Sequence, residues 1–222
     1  MRSVVLVIAP HMDDEVLGCA GVIARHISEG DRVAVCVVAN RAYNHRYDLE
    51  LIEKEKRNTL AAKKILGYQE IFFLGLNDEQ LDDKEIDIVV PLEDILRKVN
   101  PNYVYIPHKG DSNQDHRAVF NAAIISCRFF ANKGIRKLLS FEIPSATDQA
   151  APLSAAAFLP NYYVNIDEFI DKKISALRCF KAECKKFPHP RSPEAVAALA
   201  MKRGSEVGFK AAEAFMILRE KW

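Results

Sequence analysis

Several things are scarce in this 222-residue chain, and each scarcity closes off a class of protein. Its five cysteines (Cys19, Cys36, Cys127, Cys179 and Cys184) are odd in number and show no CxxC spacing. Neither a disulfide framework nor a cysteine zinc cluster is therefore expected, and reduced, mostly buried thiols are. An excess of one charge is also missing. The 31 basic and 30 acidic side chains leave a formal +1, which gives no electrostatic reason to expect DNA or RNA as a partner. The longest apolar run near the N-terminus is about six residues, too short for a membrane span or a signal-peptide core. With no export signal visible, a cytoplasmic location is the expectation. The GxGxxG fingerprint of dinucleotide-binding folds does not occur after the first strand. Internal repeats, low-complexity tracts and linkers are lacking too, so residues 1–222 are expected to form one domain.

What is present is an apolar content of 49% with 27% charged residues, the composition of an ordinary globular protein. Residues 3–9 read as a buried parallel strand, 14–29 as a helix ended by Gly30, and Val33–Val38 as a second strand. That is a βαβ unit, which makes a right-handed crossover in a parallel sheet. The pattern continues with a polar loop at 40–50, a helix at 51–66 and a strand at 71–74. A helix at 84–99, entered or kinked near Pro91, leads to a strand at 103–106. Beyond it come a polar turn at 108–116, a helix at 117–131, a strand at 138–143 and an irregular stretch at 144–160 of the kind that is usually functional or mobile. A sixth strand is expected at 162–166, a helix at 168–185 capped by Asp167, and a largely helical segment at 192–220 around Gly204 and Gly208.

Two polar turns carry the chemistry. His11-Met12-Asp13-Asp14-Glu15 follows the first strand directly, and His108 to His116 follows the strand at 103–106 and Pro107. Ligands of open parallel sheets bind beyond the carboxyl ends of the strands, so both turns should open on one edge. His11 and Asp14, three apart across a strand-to-helix bend, can aim at one point, and His116 supplies a third donor. Two imidazoles and a carboxylate with water in the remaining position are the arrangement of a hydrolytic zinc site. Asp13 then stands beside the metal as an ionised general base. Blander readings stand beside these: a core or capping role for His11, helix-start charges for Asp13, Asp14 and Glu15, and an ordinary helix start at Asp115-His116.

His11-Met12-Asp13-Asp14-Glu15 resembles the HPDDE motif of the LmbE-like deacetylases, the PIG-L superfamily, and Asn113-Gln114-Asp115-His116 resembles its second motif, HxDH. Phe73-Leu74-Gly75 with Asp78 is similar to the family's FLG…D segment, Arg57 stands in the helix where the family carries an Arg, and residues 203–215 resemble its closing RG…G…AEaF stretch. The resemblance implies an α/β fold, a Rossmann-like three-layer sandwich with a mostly parallel sheet. It also implies one zinc ion per chain, held by His11, Asp14 and His116, and hydrolysis of the N-acetyl group of an N-acetylglucosamine-type sugar, with Asp13 as general base. An amidase on a thiol-glucosaminide or another sugar-linked amide, and a non-catalytic sugar-binding relative, are the alternatives. The family's usual Pro is Met12 here. The first His of HxDH, assigned to oxyanion stabilisation, is Asn113, whose amide donates a hydrogen bond but transfers no proton. Arg57 is expected at the substrate, and His189 reaches it from a Pro-rich loop. Asp111 and Asp115 are expected to fix the tautomers of the histidine ligands, and Glu15 to be a helix-start or supporting charge. Family members often form rings or dimers, so a homo-oligomer is an expectation, with no contact surface readable.

Overall fold

The computed structural model describes residues 2–222. Strands β1 (Val4–Ala9), β2 (Arg32–Asn40), β3 (Glu70–Asn77), β4 (Tyr103–Pro107), β5 (Lys137–Phe141), β6 (Tyr162–Asn165) and β7 (Ala212–Glu220) form one sheet in the order β3-β2-β1-β4-β5-β7-β6. The first five run parallel, and β7 runs antiparallel to both β5 and β6. The expected mostly parallel α/β sheet is present.

Alternation along the strands builds a core on each face. Val5 and Val7 of β1 join Val33, Val35 and Val37 of β2 on one side, under α1 (Asp14–Ser28), α2 (Leu49–Leu66) and α5 (Ile170–Leu177). Leu6 and Ile8 with Ala34, Cys36 and Val38 face the other side, under α3 (Ile86–Val99) and α4 (Gln114–Ser126). Strands buried on both faces read as continuous apolar runs, which is why β1 and β2 are plain in the sequence. The chain winds outward from β1 through β2 to β3, then returns to place β4 on the other side of β1. This reversal opens a crevice beyond the carboxyl ends of β1 and β4, where ligands of such sheets bind.

Several boundaries differ from expectation. Helix α3 continues through Pro91. Helix α4 begins at Gln114 rather than 117, because the Asn113 side chain accepts from the Asp115 N–H at 2.8 Å and caps it. Asp167 does not cap α5. Its Oδ1 accepts from the Ala211 N–H at 2.7 Å, and α5 ends at Leu177. The largest correction is at the C-terminus. Residues 192–220 are not one helix: α6 spans Pro193–Ser205, and Ala212–Glu220 is strand β7. Ala, Glu, Met and Leu favour a helix locally, but the slot between β5 and β6 gives this segment backbone partners on both edges, and tertiary pairing overrides propensity. The chain reverses at Gly208, φ 81°, and crosses α6 at Gly204. There an added Cβ would sit 2.7 Å from the Phe209 carbonyl oxygen.

Candidate metal centre

Strand β1 delivers His11 and β4 delivers Asp111 and His116 to the crevice, where all of them are buried. Asp14 Oδ2 lies 3.2 Å from His11 Nδ1 and 3.3 Å from His116 Nε2, and those two nitrogens are 3.2 Å apart. Metal–donor bonds of about 2.0–2.1 Å at tetrahedral angles put donor atoms about 3.3 Å apart, so this triangle has the dimensions of one face of a zinc tetrahedron. The rings' other nitrogens face carboxylates. His11 Nε2 is 3.1 Å from Asp115 Oδ2, and His116 Nδ1 is 3.0 Å from Asp111 Oδ2, in ion-pair range but off the hydrogen-bond direction. A proton held on those nitrogens turns a lone pair of each ring toward Asp14. Three electron-pair donors aimed at one point repel one another unless positive charge sits among them, so the residues fit a divalent cation.

The electrostatics agree. Burial opposes charge on His116, but Asp14 and Asp111 outweigh it and push the imidazole up to about 10. His11 is likewise raised against burial by its bonds to Asp115 and Asp14. Burial works against the Asp14 carboxylate, yet the two histidines hold it well below the usual range. The centre is built to concentrate positive charge.

Asp13 opens α1 with φ 141° and ψ −23°, a positive-φ conformation that L side chains rarely adopt and that costs about 1–3 kcal/mol. Its carbonyl accepts from the Val16 and Leu17 N–H groups, both at 2.9 Å, while its side chain caps nothing. Instead Oδ2 lies 3.0 Å from Arg191 Nη1 and 3.6 Å from Arg41 Nη1. Burial raises the Asp13 carboxyl, and the two guanidiniums oppose it. Glu15 Oε2 accepts from the Asp13 N–H at 3.1 Å. Burial first, and then the neighbouring Asp13, push the Glu15 carboxyl up to about 8, while its bond to the Asp13 N–H makes it a support for the turn.

The other expected residues divide. Asp115 Oδ2 accepts from the Glu79 N–H at 2.8 Å as well as facing His11, and Asp78 lies close enough to both to form a second acidic group around that ring. Asn113 spends its oxygen on the cap, which leaves the NH₂ as the donor. Arg57 is not brought to these residues. It is exposed on α2, whose buried side carries Glu55 and Thr59. His189 is half-buried, and its Nδ1 accepts from the Arg191 N–H at 3.1 Å, so it shapes the loop from which Arg191 reaches the site. Arg41, Arg191 and Glu183 were not foreseen. The available signals were slight: Arg41 directly follows β2 on the same sheet edge, and Arg191 follows two prolines.

Against known families, the profile described as PIG-L, GlcNAc-PI de-N-acetylase, matches residues 6–127, more than half of the chain and both polar turns. The chain belongs to the PIG-L family. Among its relatives is the uncharacterized deacetylase YaiS of Escherichia coli, 29% identical over 187 residues, covering 82% of this chain and 92% of YaiS. A probable N-acetyl-alpha-D-glucosaminyl L-malate deacetylase of Bacillus cereus is 25% identical over 197 residues, covering 82% of this chain and 84% of its own. Two solved structures share the fold. A conserved protein of Thermus thermophilus superposes with a TM-score of 0.81 at 24% identity, over 100% of this chain and 97% of its own. The 4-carboxy-2-hydroxymuconate hydratase GalB of Pseudomonas putida does so with 0.76 at 21% identity, over 100% and 98%. A fold shared with a hydratase does not choose the bond that is attacked, so for this PIG-L chain the choice rests on the site and the relatives.

Proposed function

We propose that this chain is a zinc-dependent N-deacetylase that removes the acetyl group from an N-acetylglucosamine-type sugar derivative and releases acetate. The observation that carries this is the triangle of His11 Nδ1, Asp14 Oδ2 and His116 Nε2, with sides of 3.2–3.3 Å, beside a buried Asp13 whose Oδ1 has no hydrogen-bond partner among the described residues. Two relatives named as deacetylases support the reaction class, and one of them supports a glucosaminyl substrate.

A zinc ion held by His11, Asp14 and His116 supplies Lewis acidity, which lowers the pKa of bound water toward about 7 and polarises a carbonyl. The chain's own groups do the rest. Asp13 accepts the proton of the attacking water as the new C–O bond forms. It hands the same proton to the amide nitrogen as the C–N bond breaks, so water is divided between acetate and the free amine. Asn113 offers its NH₂ to the negative charge that develops on the former carbonyl oxygen. Asp111 and Asp115 keep the two rings turned, and His189 and the loops at 40–50, 144–160 and 186–192 border the space for the sugar.

The test is metal analysis of the purified protein together with acetate release from N-acetylglucosamine conjugates, including nucleotide-linked ones. The expected result is one zinc per chain and acetate equal to the amine formed. Zinc-loaded protein that releases no acetate from a broad panel of N-acyl amino sugars would sink the proposal. Product identification by mass spectrometry separates an acetyl group from another sugar-linked acyl group.

A further inference from the structure

We infer that Arg191 is a positioning residue for Asp13: it pins one carboxylate oxygen so that the other is left free to take a proton. The inference rests on the deacetylase proposal, and it begins from an asymmetry. Asp13 Oδ2 faces Arg191 Nη1 at 3.0 Å and Arg41 Nη1 at 3.6 Å, while the equally buried Oδ1 has no hydrogen-bond partner among the described residues. A structural ion pair in a dry site normally satisfies both oxygens, because an unpaired one keeps its desolvation cost. An unpaired buried acceptor calls for a use, and proton transfer is the use this position offers.

The arrangement around the pair prevents the guanidiniums from covering Oδ1. Glu183 stands between the two arginines, with Oε2 2.8 Å from Arg191 Nη1 and Oε1 2.8 Å from Arg41 Nη1. Two guanidiniums and two carboxylates sum to zero, so the arginines are not left with an excess charge that would draw both onto Asp13. Arg191 is also tied from behind, its Nε donating to Ser145 Oγ at 2.6 Å. Ser145 itself sits at φ 70°, a fixed, strained point in the loop after β5. The Arg191 guanidinium is thus held by Ser145, Glu183 and Asp13, which come from three separate parts of the chain. It cannot follow the Asp13 carboxylate if that group rotates. Asp13 has no side-chain capping bond of its own and a backbone outside the usual regions, so this clamp is what sets the direction of Oδ1.

The experiment compares wild type, Arg191→Gln, Arg191→Lys, Asp13→Asn and the double variant Asp13→Asn/Arg191→Gln. It reads kcat and KM for acetate release, zinc content, and the melting temperature of the zinc-free protein. Arg191→Gln should lower kcat about 100-fold, the scale set by a base misplaced by about 1 Å, while KM changes less than about threefold and the zinc stays bound. Arg191→Lys should recover part of the loss, since an ammonium restores the pair with Asp13 but not the fork to Ser145 and Glu183. In the Asp13→Asn background the Gln substitution should cost less than about threefold, because the group it acts through is gone. A kcat within threefold of wild type for Arg191→Gln, or the same loss in both backgrounds, overturns the inference. Should the Gln protein fail to fold, Arg191→Lys carries the same comparison. A wild type that binds zinc but releases no acetate sinks the deacetylase proposal instead. The melting temperatures then still test the clamp. Asp13→Asn must shift the melting temperature less in the Arg191→Gln protein than in wild type, and equal shifts overturn it.

Discussion

Lys173→Met should destabilise the protein severely, and the reason lies inside α1. Glu213, from β7, accepts from the Gly21 N–H at 2.8 Å and the Val22 N–H at 2.7 Å. Lys173, from α5, donates to Glu213 Oε1 and to the Leu17 carbonyl, each at 2.6 Å. In an α-helix the Gly21 N–H pairs with the Leu17 carbonyl. Here an ion pair from two distant elements also bonds to both groups of that step, and both side chains are about 95% buried, with exposures of 5% and 6%. Removing one partner of a buried pair costs about 3–5 kcal/mol. The Leu17 carbonyl loses the Lys173 donor as well, while the two backbone bonds to Glu213 survive, so the cost is taken within that range. A chain of this size loses about 2–4 °C per kcal/mol, so the melting temperature should fall by roughly 6–20 °C.

The assay is thermal unfolding followed by circular dichroism in the presence of a chelator, with Lys173→Met/Glu213→Gln as the decisive companion. A glutamine keeps one acceptor oxygen, enough for one of the Gly21 and Val22 N–H groups, and carries no charge to strand, so the double variant should recover at least half of the loss. A single variant within 3 °C of wild type, or a double variant worse than the single, would refute the buried pair as an energetic element.

Asp13→Asn should keep zinc and lose about 10²–10⁴ in kcat, the usual worth of a general base, as read by acetate release with metal analysis on the same sample. His11→Ala should lose zinc. Saturating zinc at about 1,000 times Kd stabilises by about 4 kcal/mol, so wild type should gain roughly 8–16 °C on zinc addition and the variant almost nothing. Asp115→Ala releases the His11 ring from its carboxylate and should weaken zinc binding about 10–100-fold in a chelator competition. Unchanged affinity would show that the 3.1 Å contact to His11 Nε2 does not hold the tautomer. Arg57→Ala should leave zinc content and kcat near wild type, because α2 turns that residue to solvent.

How much of this was legible in the sequence follows from the range of the interactions. Strands β1 and β2 were visible because a strand buried on both faces is a local pattern. The grouping of His11, Asp14 and His116, the proposed metal donors, is legible because two polar turns each follow such a strand, and sheet topology alone brings strand ends together. Strand β7 was hidden because its reason for being a strand is the slot between β5 and β6, while its own residues favour a helix. Asn113 stands at a motif position where an oxyanion donor is expected, yet its oxygen serves a helix start, a role its neighbours also encode. The clamp on Asp13 was the least legible part. Arg41, Glu183 and Arg191 come from the end of β2, the turns after α5 and the loop before α6, and nothing local to any of them points at Asp13.

That difference has a physical consequence for where variation in this site should show its effect. The proposed metal donors sit on strand ends and a capped helix start, so their geometry is inherited from the most deeply buried part of the sheet. The groups proposed to aim Asp13 lie outside the strands and helices and are only half-buried, and Arg191 is anchored to the loop after β5 through Ser145. Changes in the loops at 144–160 and 186–192 should therefore alter kcat while leaving zinc affinity intact, and changes in the β1 and β4 core should do the reverse. A loop substitution at Ser145 makes the contrast measurable. Ser145→Ala removes the oxygen that holds Arg191 Nε, and it should lower kcat with no change in zinc affinity by chelator competition. A matching fall in zinc affinity would mean that the clamp and the metal donors are one mechanical unit.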